Sequence, residues 1–162
     1  MRYVGVPARR GSVAPFPPGP EHPSTLGRVS EFDRERVAGL LADDAYAKGL
    51  GIDLVEVTST EIVVAMTVDE THTNFLGGGH GGMVFSLADC AFSLAANNAG
   101  DPAVAIDTHL VLTAASRPGD RLEARVHEVS RGRTLGTYRA NITRDDGRTV
   151  ALFTGTVHIN RA

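Results

Sequence analysis

The chain has 162 residues, 42% of them hydrophobic, enough for one domain with a substantial core and too few for two ordinary ones. Its formal charge is −3 with Lys and Arg scattered, which excludes the basic stripe of a nucleic-acid binder, and a single cysteine, Cys90, excludes an intrachain disulfide and fits a reducing compartment. No apolar run approaches the roughly 20 residues of a membrane-spanning helix, so a soluble protein is expected.

Near the start, Arg9 and Arg10 precede "GSVAPFPPGPEHPSTLG", which lacks the roughly 7–15-residue apolar region of a signal peptide, so the protein is expected to stay in the cytoplasm. Six prolines between Pro7 and Pro23 forbid a helix or a central strand. Residues 1–28 therefore read as an unstructured or loosely docked arm, and 29–162 as the folded domain. From Ser30 the pattern turns helical: Phe32, Val37, Leu40 and Leu41 recur at helical spacing, Ser30 is placed to cap, and Gly49 and Gly51 end the region. "IDLVEVTSTEIVVAMTVDE" then reads as a hairpin turning at Thr58-Ser59-Thr60, with Ile62, Val64, Met66 and Val68 on one face.

Next comes "GGGHGGMVFSLADC", Gly77 to Cys90, a glycine-rich stretch running into an apolar helix. Wound at about 100° per residue, positions 83–98 put Met83, Val84, Phe85, Leu87, Ala88, Ala91, Phe92, Leu94, Ala95 and Ala96 over more than half the circumference. The remaining arc carries Ser86, Asp89, Cys90, Ser93 and Asn97. Such a helix must be buried, under a curled sheet or between subunits. With histidines neutral, Asp89 is the sole formal charge between Glu70 and Asp101. An isolated carboxylate there is costly unless it is hydrogen-bonded, partnered or facing a cavity. Periodicity does not decide between a structural carboxylate satisfied by nearby backbone and a catalytic one at a cleft.

Four strand-like runs close the chain. In "VAIDTHLVLTA", Val104, Ile106, Leu110 and Leu112 are expected on one face and Asp107 and His109 on the other. "RLEARVHEVS" alternates Leu122, Ala124 and Val126 against Arg121, Glu123 and Arg125, and "TLGTYRANITR" and "TVALFTGTVHI" are joined by the turn Asp145-Asp146-Gly147. The alternation argues for an antiparallel sheet covered on one side, an α+β fold.

The glycines carry the candidate chemistry. Glycine lets another molecule approach the backbone closely, and a helix starting near Gly81 or Gly82 leaves its first N–H groups without intrahelical partners, donors that can hold an oxyanion. A flexible surface loop is the plainer alternative. Gly77, Gly79 and Gly82 match G-x-G-x-x-G, but no buried strand precedes them, and no Lys-Ser/Thr follows to make a phosphate loop. His80 and the other histidines (His22, His72, His109, His127, His158) show no metal-ligand spacing. There is no G-x-S-x-G elbow, so Ser86 and Ser93 read as packing residues, as does Cys90, which lacks a histidine partner by spacing.

"NFLGGGHGGMVFSLADCAFSLAANNAG", with "AKGLGI" before it and "TVALFTGTVHI" at the end, resembles the hotdog-fold acyl-CoA thioesterases, in particular the phenylacetyl-CoA thioesterase group, over roughly residues 35–159. The resemblance implies a curved antiparallel sheet wrapped around one central helix and homo-oligomers, dimers or dimers of dimers, with active sites at the subunit interface. It implies an acyl-CoA substrate, no cofactor, Asp89 as catalytic carboxylate, Gly81 as oxyanion N–H, His80 shaping the loop and Asn74 bordering the site. Gly82 belongs to the same substrate-binding turn. Where many relatives carry Arg-Pro, this chain has Ala114-Ala115, and Arg117-Pro118 falls three residues later. In "SRGRT", Arg131 and Arg133 become candidates for the CoA phosphates, beside the plainer reading of solvated turn arginines.

One carboxylate can serve such a reaction, because a thiolate whose conjugate acid has a pKa of about 8.5 leaves without strong acid help. Asp89 then activates water or attacks the carbonyl itself. Two alternatives stay open: a hotdog-fold hydratase or dehydratase pairing an Asp with a His, and a non-catalytic acyl-CoA sensor.

Overall fold

The structure, a computed structural model, describes residues 31–161. The arm at 1–28 and the Ser30 cap lie outside them. Asp33 caps the first helix, α1 (Arg34–Asp43), its carboxylate accepting the Arg36 N–H at 2.9 Å. The helical region does not run unbroken to Gly49. Asp44 adopts an extended conformation, ends α1, and caps the short α2 (Ala45–Gly49) by accepting the Ala47 N–H at 2.9 Å. A short acidic side chain competes with the helix for its own backbone donors, so it breaks a helix that contains neither Gly nor Pro at that point.

The expected hairpin forms from β1 (Asp53–Val57) and β2 (Glu61–Thr67), its turn held by Thr58, whose Oγ1 accepts the Glu61 N–H at 3.0 Å. After α3 (Gly81–Asn97) come β3 (Ala103–Leu112), β4 (Arg121–Arg131), β5 (Leu135–Arg144) and β6 (Thr149–Ile159). All six strands join one antiparallel sheet in the order β1-β2-β4-β5-β6-β3. The central helix lies against its inner face, and Leu87, Ala88, Ala91, Phe92, Ala95 and Ala96 are fully buried there. Burying a side chain the size of Leu or Phe contributes about 1.5–3 kcal/mol, so the apolar helix is what the sheet curls around. Closeness is enforced at Gly155 of β6, where a Cβ would stand 2.8 Å from the Phe92 ring.

Two expectations about faces change. β2 is buried on both sides: Val63, on the outer face, is paired with Glu56 and Arg125, and those two side chains meet above it at 3.3 Å. In β3 a bulge at Ile106, between the Ala105–Val157 and Asp107–Thr156 pairs, inserts one residue and reverses the phase. Leu110 and Leu112 accordingly share the inner face with Phe153 and Ala151, whereas Val104 stands with His158 on the outer face, alongside Asp107 and His109. β3 is a sheet edge, and its Val104 and Ile106 are 57% and 59% exposed.

Candidate active site

Between β2 and α3 the chain folds into a loop that its own polar groups hold. Asp69 accepts the Thr71 N–H at 2.7 Å and His72 Nδ1 accepts the Asp69 N–H at 3.2 Å, a reciprocal cap on the single turn Glu70–His72. Asn74 closes the next turn: its N–H donates to Gly78 O at 2.8 Å, its Oδ1 accepts the Leu76 N–H at 2.8 Å, and its Nδ2 reaches Gly79 O at 3.4 Å. Phe75 and Leu76 form the tip, 96% and 81% exposed. Gly79 donates to Ser116 O at 2.8 Å and has no room for a side chain, since a Cβ would lie 2.2 Å from Ser116 Oγ.

This loop delivers His80 to the N-cap of α3. The His80 N–H donates to His72 O at 2.8 Å, its carbonyl accepts from Met83 and Val84, and its Nδ1 accepts the Gly82 N–H at 2.8 Å. Of the four amides in the helix's first turn, Gly81 N–H alone has no partner among the described residues. The sequence expectation of several free donors therefore narrows to one, and Gly82, whose amide His80 consumes, offers none.

Gly81 faces a cavity of about 360 Å³ lined by Asn74, Gly79, Val84 and residues 112–116. Ala115 also borders a second cavity of about 500 Å³, whose wall carries Arg117, Arg144 and Arg148 with Asp120, Asp145 and Asp146. Arg144 is bonded to Asp146, pulling that carboxyl down to about 2, and donates to Ala115 O at 3.3 Å. Arg117 and Arg148 are exposed and make no side-chain ion pair among the described residues.

Asp89 is half-buried on the open arc of α3 with Ser86 and Asn97. Its carboxylate has no hydrogen-bond or ion-pair partner among the described residues. Burial raises its pKa above the ordinary value and the Asp44 carboxylate adds to the rise. The carboxylate is thus not saturated by its own chain. Neither does it line the cavity. It stands eight residues beyond Gly81, about 12 Å along the helix axis at ~1.5 Å per residue. Cys90, expected on the open arc, is buried instead, because α1 and α2 pack along that flank of α3; burial, then Asp44 and Asp89, push its thiol up to about 12, which suits packing and not nucleophilic attack.

Arg131 and Arg133 sit at the other end of the helix. Arg131 turns inward, its Nη1 donating to Ala96 O at 3.0 Å and Tyr138 Oη at 2.7 Å, so its guanidinium is neither a solvated turn group nor held out toward a phosphate in this chain. Arg133 is exposed in the β4–β5 turn. α3 spans about 24 Å from Gly81 to Asn97, which keeps this chain's turn arginines away from its own Gly81. Sequence reasoning missed the network around Arg131, although one signal was available: Glu128 continues the inward phase of Leu122, Ala124 and Val126, and a charge in that phase must find a partner. It also missed Ser116 in the cavity wall. Among the described residues no group of three or more His, Cys, Asp or Glu side chains could hold a metal ion, and no helix is long and apolar enough to cross a membrane.

Residues 76–151 match the family model described as the thioesterase superfamily. The acyl-coenzyme A thioesterase PaaI of Escherichia coli is 39% identical over 116 residues, covering 72% of this chain and 83% of the relative. A solved structure of the E. coli PaaI protein from the phenylacetic acid degradation operon superposes with a TM-score of 0.76 at 35% identity, covering 79% of this chain and 93% of the other. A hypothetical thioesterase from Streptococcus pneumoniae, solved with coenzyme A, gives 0.65 at 26% identity, over 67% and 85% of the two chains.

Proposed function

This chain belongs to the hotdog-fold thioesterase superfamily, in its PaaI group, and is an acyl-CoA thioester hydrolase; on that premise we propose that it cleaves aryl- or arylacetyl-CoA with Asp89 and the Gly81 N–H acting in a site shared between two copies. The observation that carries the reading is the Asp89 carboxylate, without a partner among the described residues, on the open face of an otherwise buried helix. Asp89 removes a proton from water as the water oxygen bonds to the acyl carbon, or attacks the acyl carbon itself to give a mixed anhydride that water then hydrolyses to the free acid. The carbonyl oxygen gains its negative charge against the Gly81 N–H, the C–S bond breaks, and the thiolate leaves and later takes a proton. The aryl preference rests on similarity to the PaaI protein, whose operon degrades phenylacetic acid.

Two separations support a shared site. Gly81 and Asp89 of one chain stand about 12 Å apart along the helix, too far to serve one thioester carbonyl, and Arg131 and Arg133 lie farther still. The exposed apolar edge of β3, with Val104 and Ile106 open to solvent, suits pairing with a second copy. The phosphates of CoA then meet arginines at the site's rim, with the exposed Arg117 and Arg148, and Arg133 of another copy, as the candidates. A cytoplasmic location fits the single unpaired Cys90. The hydratase alternative is supported less, because His80 spends its Nδ1 as a helix cap.

The test begins with thiol release from a panel of acyl-CoAs. Gly81→Pro deletes the amide proton while keeping a residue suited to the first helical position. Gly81→Pro and Asp89→Asn proteins should each be inactive, and co-expression should restore one of the two sites in every mixed dimer. Mixed oligomers that stay inactive would show that one chain supplies both groups, and a panel turned over without preference for aryl or arylacetyl groups would remove the substrate assignment.

A further inference from the structure

Ser116 is 2% exposed, and its Oγ has no hydrogen-bond partner among the described residues. Its backbone does the structural work, the carbonyl taking the Gly79 N–H at 2.8 Å, and an alanine would do the same. The hydroxyl only adds cost. It is a buried polar atom left unpaired, and it obliges position 79 to carry no side chain, with a Cβ there only 2.2 Å away. A buried polar atom without a partner calls for an explanation, and beside a cavity a ligand that brings the partner supplies one.

Ser116 lines the same cavity as Gly81, beside the apolar Val84, Leu112, Ala114 and Ala115. The inference rests on the thioesterase reading of that cavity. With the thioester oxygen against Gly81, the occupant extends two ways. A hydrocarbon acyl group offers a hydroxyl nothing, whereas the thiol arm of CoA carries an amide two methylene groups beyond sulfur. We infer that Ser116 is a substrate-contacting residue whose hydroxyl hydrogen-bonds the first amide of the CoA thiol arm. It touches the leaving group and takes no part in proton transfer.

One acyl group presented on three thiols tests this: as the CoA thioester, as the N-acetylcysteamine thioester, which keeps the first amide, and as the propanethiol thioester, which has none. Ser116→Ala should lower kcat/KM on the order of tenfold for the first two, and the two proteins should converge on the third. Its Tm should rise by a few degrees, since the unpaired hydroxyl is gone. An equal loss on all three thioesters, no loss on any, or a lower Tm would overturn the contact. Should wild type hydrolyse none of them, the thioesterase reading falls by itself, and calorimetry with free CoA decides Ser116: a weaker Kd in Ser116→Ala upholds the contact and an unchanged one ends it.

Discussion

The two ends of α3 are built from similar material and finished in opposite ways. At the C-terminal end, Ala96 O takes Arg131 Nη1, a cation at the negative pole of the helix, and Tyr138 links Arg131 to the buried Glu128 at 2.7 and 3.1 Å. Asn97 Oδ1 accepts the Ala103 N–H, and Asn98 bridges the Asp33 N–H and Glu31 O, each at 2.9 Å. That end is stitched shut except at Arg131 Nη2, which is buried without a hydrogen-bond partner among the described residues. At the N-terminal end one amide and one hydroxyl, Gly81 and Ser116, have no partner among the described residues, and midway along the helix the Asp89 carboxylate has none either. Polar groups at the C-terminal end are spent on the fold, Arg131 Nη2 excepted, whereas those at Gly81, Ser116 and Asp89 are open to the substrate proposed above.

The sharpest way to break this contrast is at Asp89. Asp89→Asn should lower turnover by about 10²–10⁴-fold, measured as thiol release. It should also stabilise the fold. A carboxyl whose pKa is raised on folding contributes stability that is fully present below its ordinary value of 3.8 and lost as pH rises through the raised one, so the native protein at neutral pH carries a strained charge that asparagine removes. Thermal unfolding checks the sign. A lower Tm would make Asp89 a structural carboxylate and leave Gly81 and Ser116 alone on the open side of the contrast.

At the closed end the reverse holds. Tyr138→Phe removes an oxygen that accepts from Arg131 and donates to Glu128, and should cost about 1.5–3 kcal/mol in denaturant unfolding with kcat/KM unchanged. Gly79→Ala comes next, with a Cβ 2.2 Å from Ser116 Oγ and an overpacking cost of about 1–3 kcal/mol. Adding Ser116→Ala should recover most of it, since the remaining contact to Ser116 Cβ is 3.3 Å. A double variant no better than the single would place the strain elsewhere.

What was legible in the sequence was whatever repeats. The apolar sweep of α3 declares its burial, and Leu122, Ala124 and Val126 declare their face. The bulge at Ile106 was not legible, because one unpaired residue reverses a phase without a glycine to mark it. Nor was the break at Asp44, where a side chain outcompetes helix propensity. In the site, the glycines and the lone Asp89 were visible as a pattern, and family resemblance assigned them roles. That Gly81 alone keeps a free amide depends on which atom His80 spends, and the isolation of Ser116 depends on Gly79, distant along the chain. The first turns on the rotamer of one capping side chain and the second on tertiary packing, and neither shows in a pattern of residue types.

The smallest effect separates the two causes of the Asp89 shift. Asp44 caps α2 through Oδ1 and also adds its charge to the burial of Asp89. Asparagine caps as well as aspartate, so Asp44→Asn keeps the helix and removes only the charge. The acid limb of kcat/KM, set by ionisation of the free enzyme's Asp89, should move to lower pH while the plateau stays where it is. Because burial is the larger cause, the limb should still lie above that of an ordinary aspartate. A limb that does not respond to Asp44 belongs to another group, and the carboxylate that titrates would then not be the one left unpartnered on α3.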